Sequence, residues 1–246
     1  MKTNPKLSIA IPMYNEEEGI PNLYEKLTEL EKALDKEKIS REFILINDGS
    51  KDKTLELLNK YFGKKKNVKI ITHEKNLNIG GGIRTAVKNF EGELLGFLDS
   101  DCTYDPIILI DMVKMINGFD IVTASPYHPD GKVENASFYR IFLSKGVTLL
   151  YSIILDSKIH TYTSFVRVYK RDVIKNINFE SNNFIGVTEI LVYPILNKSA
   201  KVGEYPTILK GRIYGVSKIK VINVIKQHLK LLFKLLKLRV LNKKAI

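Results

Sequence analysis

The chain has 246 residues, a formal net charge of +12 and one cysteine, Cys102. That length suits one large α/β domain with a short appendage, and a lone cysteine excludes an internal disulfide framework and fits a reducing compartment. The longest uncharged run, Gly146 to Leu155, is ten residues. That is about half of the ~20 that span a bilayer, so no transmembrane segment is expected. The start, Met1-Lys2-Thr3-Asn4-Pro5, has no apolar region and reads as no signal peptide.

Leu7 to Pro12 reads as a first strand, with Met13-Tyr14-Asn15-Glu16 as its exit loop. Leu23, Leu27, Leu30 and Leu34 fall at helical spacing, which predicts an amphipathic helix with acidic residues in its first turn. Phe43 to Ile46 is a second buried strand, ending at Asn47-Asp48-Gly49-Ser50. Ser50 is placed to cap the helix around Leu55 and Leu58. Val68 to Ile71 is a third strand. A loop, Asn76 to Gly82, then leads to a helix from Ile83.

Next comes Leu94-Leu95-Gly96-Phe97-Leu98-Asp99-Ser100-Asp101, a short apolar run ending in two carboxylates one residue apart. It reads as a fourth strand with its acids at the ligand end of the sheet. Asp105-Pro106 reads as a helix start, with Asp at the N-cap and Pro at the first helical position. Two nearby hard oxygen ligands suit Mg²⁺ or Mn²⁺ holding a diphosphate, although an acidic pair is also an ordinary polar loop. Asp120 to Ala124 is a fifth strand. Alternating strands and helices predict βαβ units and a mainly parallel sheet. Each polar signal follows a strand, so all of them gather along one edge.

Gly80-Gly81-Gly82 before a helix offers bare amides to a phosphate, or serves as a plain flexible turn. Arg84, one turn in, favours an anion. The run lacks the Lys-Ser/Thr of a Walker loop.

Pro12-Met13-Tyr14-Asn15-Glu16, Asn47-Asp48-Gly49-Ser50, Asn78-x-Gly80-x-Gly82 and Asp99-Ser100-Asp101 occur in an order and spacing that resembles family 2 glycosyltransferases with the GT-A fold. Glu204-Tyr205-Pro206 and Arg212-Ile213-Tyr214-Gly215-Val216-Ser217-Lys218 are similar to the end of the dolichol-phosphate mannosyltransferase branch, as are Thr163-Ser164, Arg167 and Tyr169. The resemblance covers residues 5 to 220 and implies a GT-A domain over 1–217.

The resemblance implies that Pro12, Tyr14 and Glu16 line the base and ribose of a nucleotide and that Asp48 reads the base edge. Gly80, Arg84 and Ser100 join this nucleotide set. Asp99 and Asp101, with Thr103 as a weaker third ligand, would hold Mg²⁺ or Mn²⁺ on the diphosphate. Arg212, Ser217 and Lys218 would meet phosphate, and so would Arg140, Ser144 and Arg167 on the acceptor side. The pattern departs from the family at Asn47, Thr103, Pro126, Thr161 and Phe165, so the nucleotide half is better kept than the acceptor half.

From Lys218 onward there are nine Lys or Arg and no Asp or Glu, leaving 30 basic and 27 acidic groups in residues 1–217. At about 100° per residue, Lys226, Lys230, Lys234, Lys237 and Lys244 share an arc of roughly 80°. Ile222, Ile225, Leu229, Leu232 and Leu236 lie opposite. Residues 218–246 therefore read as an amphipathic helix in a membrane interface, against a helix docked on its own domain. The apolar stretch from Phe138 to Ile154 could likewise rest on a membrane or on the core. Nucleic acid is disfavoured, because the body is nearly neutral and the tail lacks stacking aromatics.

The combined expectation is an inverting transferase on the cytoplasmic face of a membrane. It would move a sugar from a GDP- or UDP-linked donor to a polyprenyl phosphate. Transfer to a hydroxyl would need a base, for which Glu189 is the one candidate. A silent nucleotide-sugar or lipid-binding protein is the reading from another class.

Overall fold

The computed structural model describes residues 6–134, 138–211 and 221–241, and the side chains of all these except 138–140 and 221–222. In chain order the first half is β1 (Leu7–Met13), α1 (Ile20–Lys36), β2 (Arg41–Asn47), α2 (Thr54–Phe62), β3 (Val68–Thr72), α3 (Asn78–Asn89), β4 (Leu94–Phe97), α4 (Ile108–Met115) and β5 (Ile121–Ser125). The second half is β6 (Lys132–Val133), α5 (Phe138–Leu155), β7 (Arg167–Lys170), α6 (Arg171–Lys175), α7 (Ile185–Leu196), β8 (Val202–Pro206), β9 (Ile208–Leu209) and α8 (Val221–Val240).

Seven strands form one sheet in the order β3-β2-β1-β4-β7-β5-β8. All neighbours are parallel except β7, which runs antiparallel to β4 and β5. Strands buried on both faces need apolar residues at both parities. Leu7, Ile9 and Ile11 of β1 join Phe43 and Leu45 of β2 in a core under α1, α2 and α4. Ala10, Ile44 and Ile46 face the other way, into a core under α3, α5, α7 and α8. The result is a three-layer α/β/α sandwich. The small β6-β9 ladder stands apart from this sheet.

Three local expectations change. Helix α1 starts at Ile20 behind Gly19, with no acidic residue in its first turn, so Glu16 to Glu18 belong to the preceding loop. Ser50 does not cap α2. The N-cap is Lys53, with no side-chain cap bond; Asp52 Oδ1 accepts from Thr54 N at 3.0 Å just ahead of the helix, and Ser50 Oγ accepts from Asn15 N at 2.9 Å. The glycine run is not a loop, because α3 begins at Asn78.

Helix α7 is buried along nearly its whole length, as an apolar all-round helix must be. Part of its cover is α8, whose Leu231, Leu232 and Leu235 join the same core. Helix α8 is therefore docked on the domain, with a second apolar face left outside. Leu229, Phe233, Leu236 and Val240 are exposed, Phe233 at 73% and Val240 at 75%. At its far end, Arg239 Nη1 donates to the carbonyls of Ile153 and Ile154 at the end of α5.

Candidate active site

The site lies beyond the carboxyl ends of β1, β2 and β4, which are adjacent in the sheet. The exit loops of β1 and β2 are laced together by backbone donors. Asp48 N reaches Met13 O at 2.8 Å. Glu16 N reaches Thr54 Oγ1 at 2.8 Å, Lys51 N reaches Asn15 Oδ1 at 2.8 Å, and Lys53 N reaches Glu17 Oε2 at 2.9 Å. Asn15 sits at φ +51 and Gly49 at φ +68. A Cβ at Gly49 would stand 2.7 Å from the Lys75 carbonyl carbon, so only glycine serves there.

Asp48 is buried. Its Oδ1 accepts from Leu77 N at 2.8 Å and from His73 Nδ1 at 2.7 Å. A carboxylate only accepts, so His73 carries its proton on Nδ1, leaving Nε2 to face Thr85 Oγ1 at 2.8 Å. Asp48 is thus fixed by the end of β3 and by α3. His73 escaped the sequence reading, although it too follows a strand.

The glycines of α3 do not form an open cradle. Gly80 N donates to Asn182 O at 2.7 Å. A Cβ on Gly80 would collide with Ser181 O, and one on Gly82 would lie 2.7 Å from Pro12 Cβ. These glycines let α3 press against β1 and the loop before α7. Arg84 follows the same logic. Its guanidinium donates to Ser181 O at 3.2 Å and to Asn182 Oδ1, and it stacks over Phe179. The structure turns Gly80 and Arg84 to packing, where the sequence suggested phosphate.

Asp99 and Asp101 are half-buried just past β4, around the buried Ser100. Leu98 N donates to Ala10 O at 3.1 Å, which seats this loop beside β1. Thr103 N donates to Asp101 Oδ1 at 3.1 Å. Burial, then the charges of Asp101, Asp99 and Asp105, push the Cys102 thiol up to about 12. Burial and the neighbouring carboxylates thus both disfavour its thiolate, the form that acts as a nucleophile. Among the described residues no group of three His, Cys, Asp or Glu side chains forms a metal cage. Two carboxylates are a donor set that Mg²⁺ and Mn²⁺ accept together with phosphate oxygens.

A cavity of about 420 Å³ opens beside this edge. Pro12, Met13, Tyr14, Asp48, Asn76, Asn78 and Ile79 line one side, with Asn183 and Phe184 before α7. The remaining wall is the first turns of α8, through Asn223, Val224 and Gln227. The sequence reading missed this wall, because the tail's pattern pointed outward to a membrane.

On the acceptor side, Ser144 Oγ lies 2.9 Å from Thr163 Oγ1. Arg167 is fully buried. It donates to Thr123 Oγ1 at 3.2 Å, to Tyr162 O at 2.7 Å, and to Val187 O. The expected phosphate ligand is a structural pin between β7, β5 and α7. Glu189 is also buried, with Oε1 accepting from Tyr193 OH at 2.9 Å, and Lys234 of α8 reaches that hydroxyl at 2.9 Å. Glu204 Oε1 takes Ser125 Oγ at 2.7 Å, His160 N at 2.8 Å and Thr161 N at 3.2 Å. It ties β8 to the end of β5 and to the loop after α5. Arg212, Ser217, Lys218 and the side chain of Arg140 lie outside the described residues.

The chain is 30% identical over 235 residues to a dolichol-phosphate mannosyltransferase of Pyrococcus furiosus, covering 94% of this chain and 64% of that protein. It is 26% identical to a dodecaprenyl-phosphate galacturonate synthase of Rhizobium johnstonii, covering 87% and 61%. The chain thus spans less than two thirds of these relatives' length. Among solved structures, glucosyl-3-phosphoglycerate synthase from Mycobacterium tuberculosis, in complex with Mg²⁺ and UDP, superposes with a TM-score of 0.72 at 14% identity, over 95% of this chain and 80% of that one. TarS 1-349 of S. aureus gives 0.60 at 23% identity, over 98% and 67%. These likenesses show the GT-A fold expected from the motifs. The Glycosyl transferase family 2 model matches residues 8–177, and the chain belongs to that family.

Proposed function

We propose that this glycosyltransferase moves a sugar from a GDP- or UDP-linked donor to a polyprenyl phosphate at the cytoplasmic face of a membrane. The carrying observation is that the 420 Å³ cavity past β1 and β2 and the Asp99–Asp101 loop past β4, which does not line it, follow the carboxyl ends of neighbouring parallel strands. The relatives named for dolichol phosphate and dodecaprenyl phosphate supply the acceptor class. Pro12, Tyr14 and Asp48 would hold the nucleoside, and Asp99 and Asp101 would hold Mg²⁺ or Mn²⁺ against the diphosphate. Such an ion neutralises charge on a departing nucleoside diphosphate. The Mycobacterium tuberculosis enzyme of the same fold is described with Mn²⁺ and UDP bound.

A phosphate acceptor is already an anion near neutral pH, so it needs no side chain to remove a proton. Glu189 supports this choice. It is buried, its Oε1 takes the Tyr193 hydroxyl, and it does not line the cavity, so it has no access to a hydroxyl acceptor there. A single displacement at the anomeric carbon inverts its configuration.

Two helices present apolar rows to the outside: Phe142, Leu149, Leu150 and Ile153 on α5, and Leu229, Phe233, Leu236 and Val240 on α8. Lys226, Lys230 and Lys237 flank the second row and are exposed. Lysines beside an apolar stripe suit an anionic interface. Among the described residues no helix is long and apolar enough to cross a membrane. The test is to incubate the protein with polyprenyl phosphate, Mn²⁺ and a panel of nucleotide sugars. A lipid-linked sugar from one donor is expected. No product from any donor, with the nucleotide sugar still bound, would leave a silent binding protein.

A further inference from the structure

His73 stands behind Asp48 in a relay that begins on α3. Its backbone N donates to Asn47 O at 3.0 Å, which carries the β2–β3 pairing one residue past β3. Its Nδ1 meets Oδ1 of Asp48, the residue after Asn47, at 2.7 Å. Its Nε2 meets Thr85 Oγ1 on α3 at 2.8 Å. With the ring proton on Nδ1, Nε2 accepts and the Thr85 hydroxyl donates to it. Both ring nitrogens are engaged, so the tautomer and the ring orientation are fixed together. The same helix also reaches Asp48 directly. Leu77, its N-cap, donates its N–H to Oδ1 at 2.8 Å.

Both donors fall on one carboxylate oxygen. Oδ2 takes no hydrogen bond among the described residues, and it is not one of the side-chain atoms closed off from solvent. Asp48 lines the 420 Å³ cavity with Pro12, Tyr14 and Asn78. Oδ2 is thus the oxygen left to a ligand there, and a carboxylate oxygen can only accept. Uracil and guanine carry a ring N–H on their pairing edge, whereas cytosine and adenine carry a bare ring nitrogen. A fixed acceptor pairs with the first kind and sets lone pair against lone pair with the second. A site built to hydrogen-bond a substrate N–H rejects the analogue that lacks it. Such rejection needs a carboxylate that cannot swing aside, and supporting hydrogen bonds supply that.

We propose that His73, held by Thr85, is a positioning residue for base choice: it fixes Asp48 so that Oδ2 accepts the ring N–H of a uracil or guanine nucleotide and refuses cytosine and adenine. This rests on the donor-site reading above and deepens it. His73 is not among the residues lining the cavity, so it acts through Asp48.

The test measures binding of UDP, GDP, CDP and ADP to the full chain in Mn²⁺, together with melting temperature. The natural chain should bind UDP or GDP at least about tenfold more tightly than CDP and ADP, the scale of one hydrogen bond to a charged group. Two amides separate positioning from bulk. His73→Asn sets its amide where Nδ1 was and can still donate to Asp48, so the preference should stay within about threefold. His73→Gln sets its amide near the place of Nε2 and leaves Asp48 with Leu77 N alone. Its preferred nucleotide should weaken about tenfold while CDP and ADP change less than about threefold. Thr85→Val keeps the volume and should erode the preference a few-fold. Unchanged discrimination in both His73→Gln and Thr85→Val would overturn the proposal. So would an equal loss for all four nucleotides in both His73 variants that follows a lower melting temperature, since that marks His73 as mere support for the fold. Asp48→Asn tests the reading beneath. Its amide donates as well as accepts, so CDP should gain on UDP and GDP. If the order of the four stays the same, Asp48 does not read the base, and the role of His73 falls with it. If the natural chain binds none of the four, the donor-site reading itself fails, and this proposal falls too.

Discussion

His228 Nδ1 lies 3.0 Å from the hydroxyl of Tyr151, and this pair sits inside the joint between α8 and α5. Burial lowers the His228 pKa from 6.5 to about 4. The folded chain therefore keeps the ring neutral where the unfolded chain protonates it. Between pH 6.5 and 4 the unfolded state binds more protons, so stability falls as pH falls through that window. The full effect is roughly 3 kcal/mol at the acid end, from about 1.4 kcal/mol per pKa unit. Melting temperatures of the natural chain and of His228→Phe, taken from pH 7 to 4, should diverge as the pH drops. Parallel curves would remove the ring from the acid response.

Arg167 gives a contrasting expectation. Its donors hold Thr123, Tyr162 and Val187 together in the core. Arg167→Met leaves buried carbonyls unanswered and should cost roughly 3 kcal/mol or more in denaturant unfolding. The surviving folded fraction should bind nucleotide normally. A full-stability Arg167→Met protein with a weakened acceptor KM would restore the phosphate role.

Asp101→Asn should leave the fold intact and cut turnover by at least about a hundredfold, the scale of losing one electrostatic contributor to a transition state. Excess chelator should do the same to the natural chain. Undiminished turnover without divalent metal would end the metal-assisted mechanism.

Glu189→Gln should keep the catalytic rate within about tenfold, whatever it does to stability, because a phosphate acceptor asks for no base. A loss of three orders of magnitude in a folded variant would favour a hydroxyl acceptor.

Truncation after Lys220 would remove Leu231, Leu232 and Leu235 from the core and Gln227 from the cavity. It should lower stability and donor binding together. The outward face is tested separately. Leu229→Ser with Phe233→Ser should shift stability by only about 0.5 kcal/mol, as surface changes do. Sedimentation with anionic vesicles should fall sharply. Residual binding should weaken further with salt, since the lysines act over a Debye length of about 8 Å. Undiminished sedimentation would move the anchor to the α5 row.

The fold was legible because β1, β2 and β4 are apolar at both parities, a pattern that a doubly covered sheet requires. The acid pair, Asp48 and the exit loop of β1 were legible because strand ends converge whatever the details of packing. Long-range partners were not. Nothing local says that Arg167 meets Val187 O, or that Gly80 faces Ser181. An arginine in a strand and glycines before a helix read as ligand groups until those partners arrive. In α8 the period gave the lysine arc but not which apolar sector is covered. Leu231, Leu232 and Leu235 are buried, while Leu229, Phe233 and Leu236 are bare. Only the position of α5 and α7 decides between them.

Helix α8 touches the 420 Å³ cavity with one turn, the core with one face and the outside with another. With nucleotide in the cavity and a membrane on the outer face, as proposed, any coupling of the two through this rod would be reciprocal by thermodynamic necessity. If vesicles tighten nucleotide binding by some factor, nucleotide must tighten vesicle binding by the same factor. A transferase built this way would hold its donor best where its acceptor is, and would release the surface as the nucleoside diphosphate leaves.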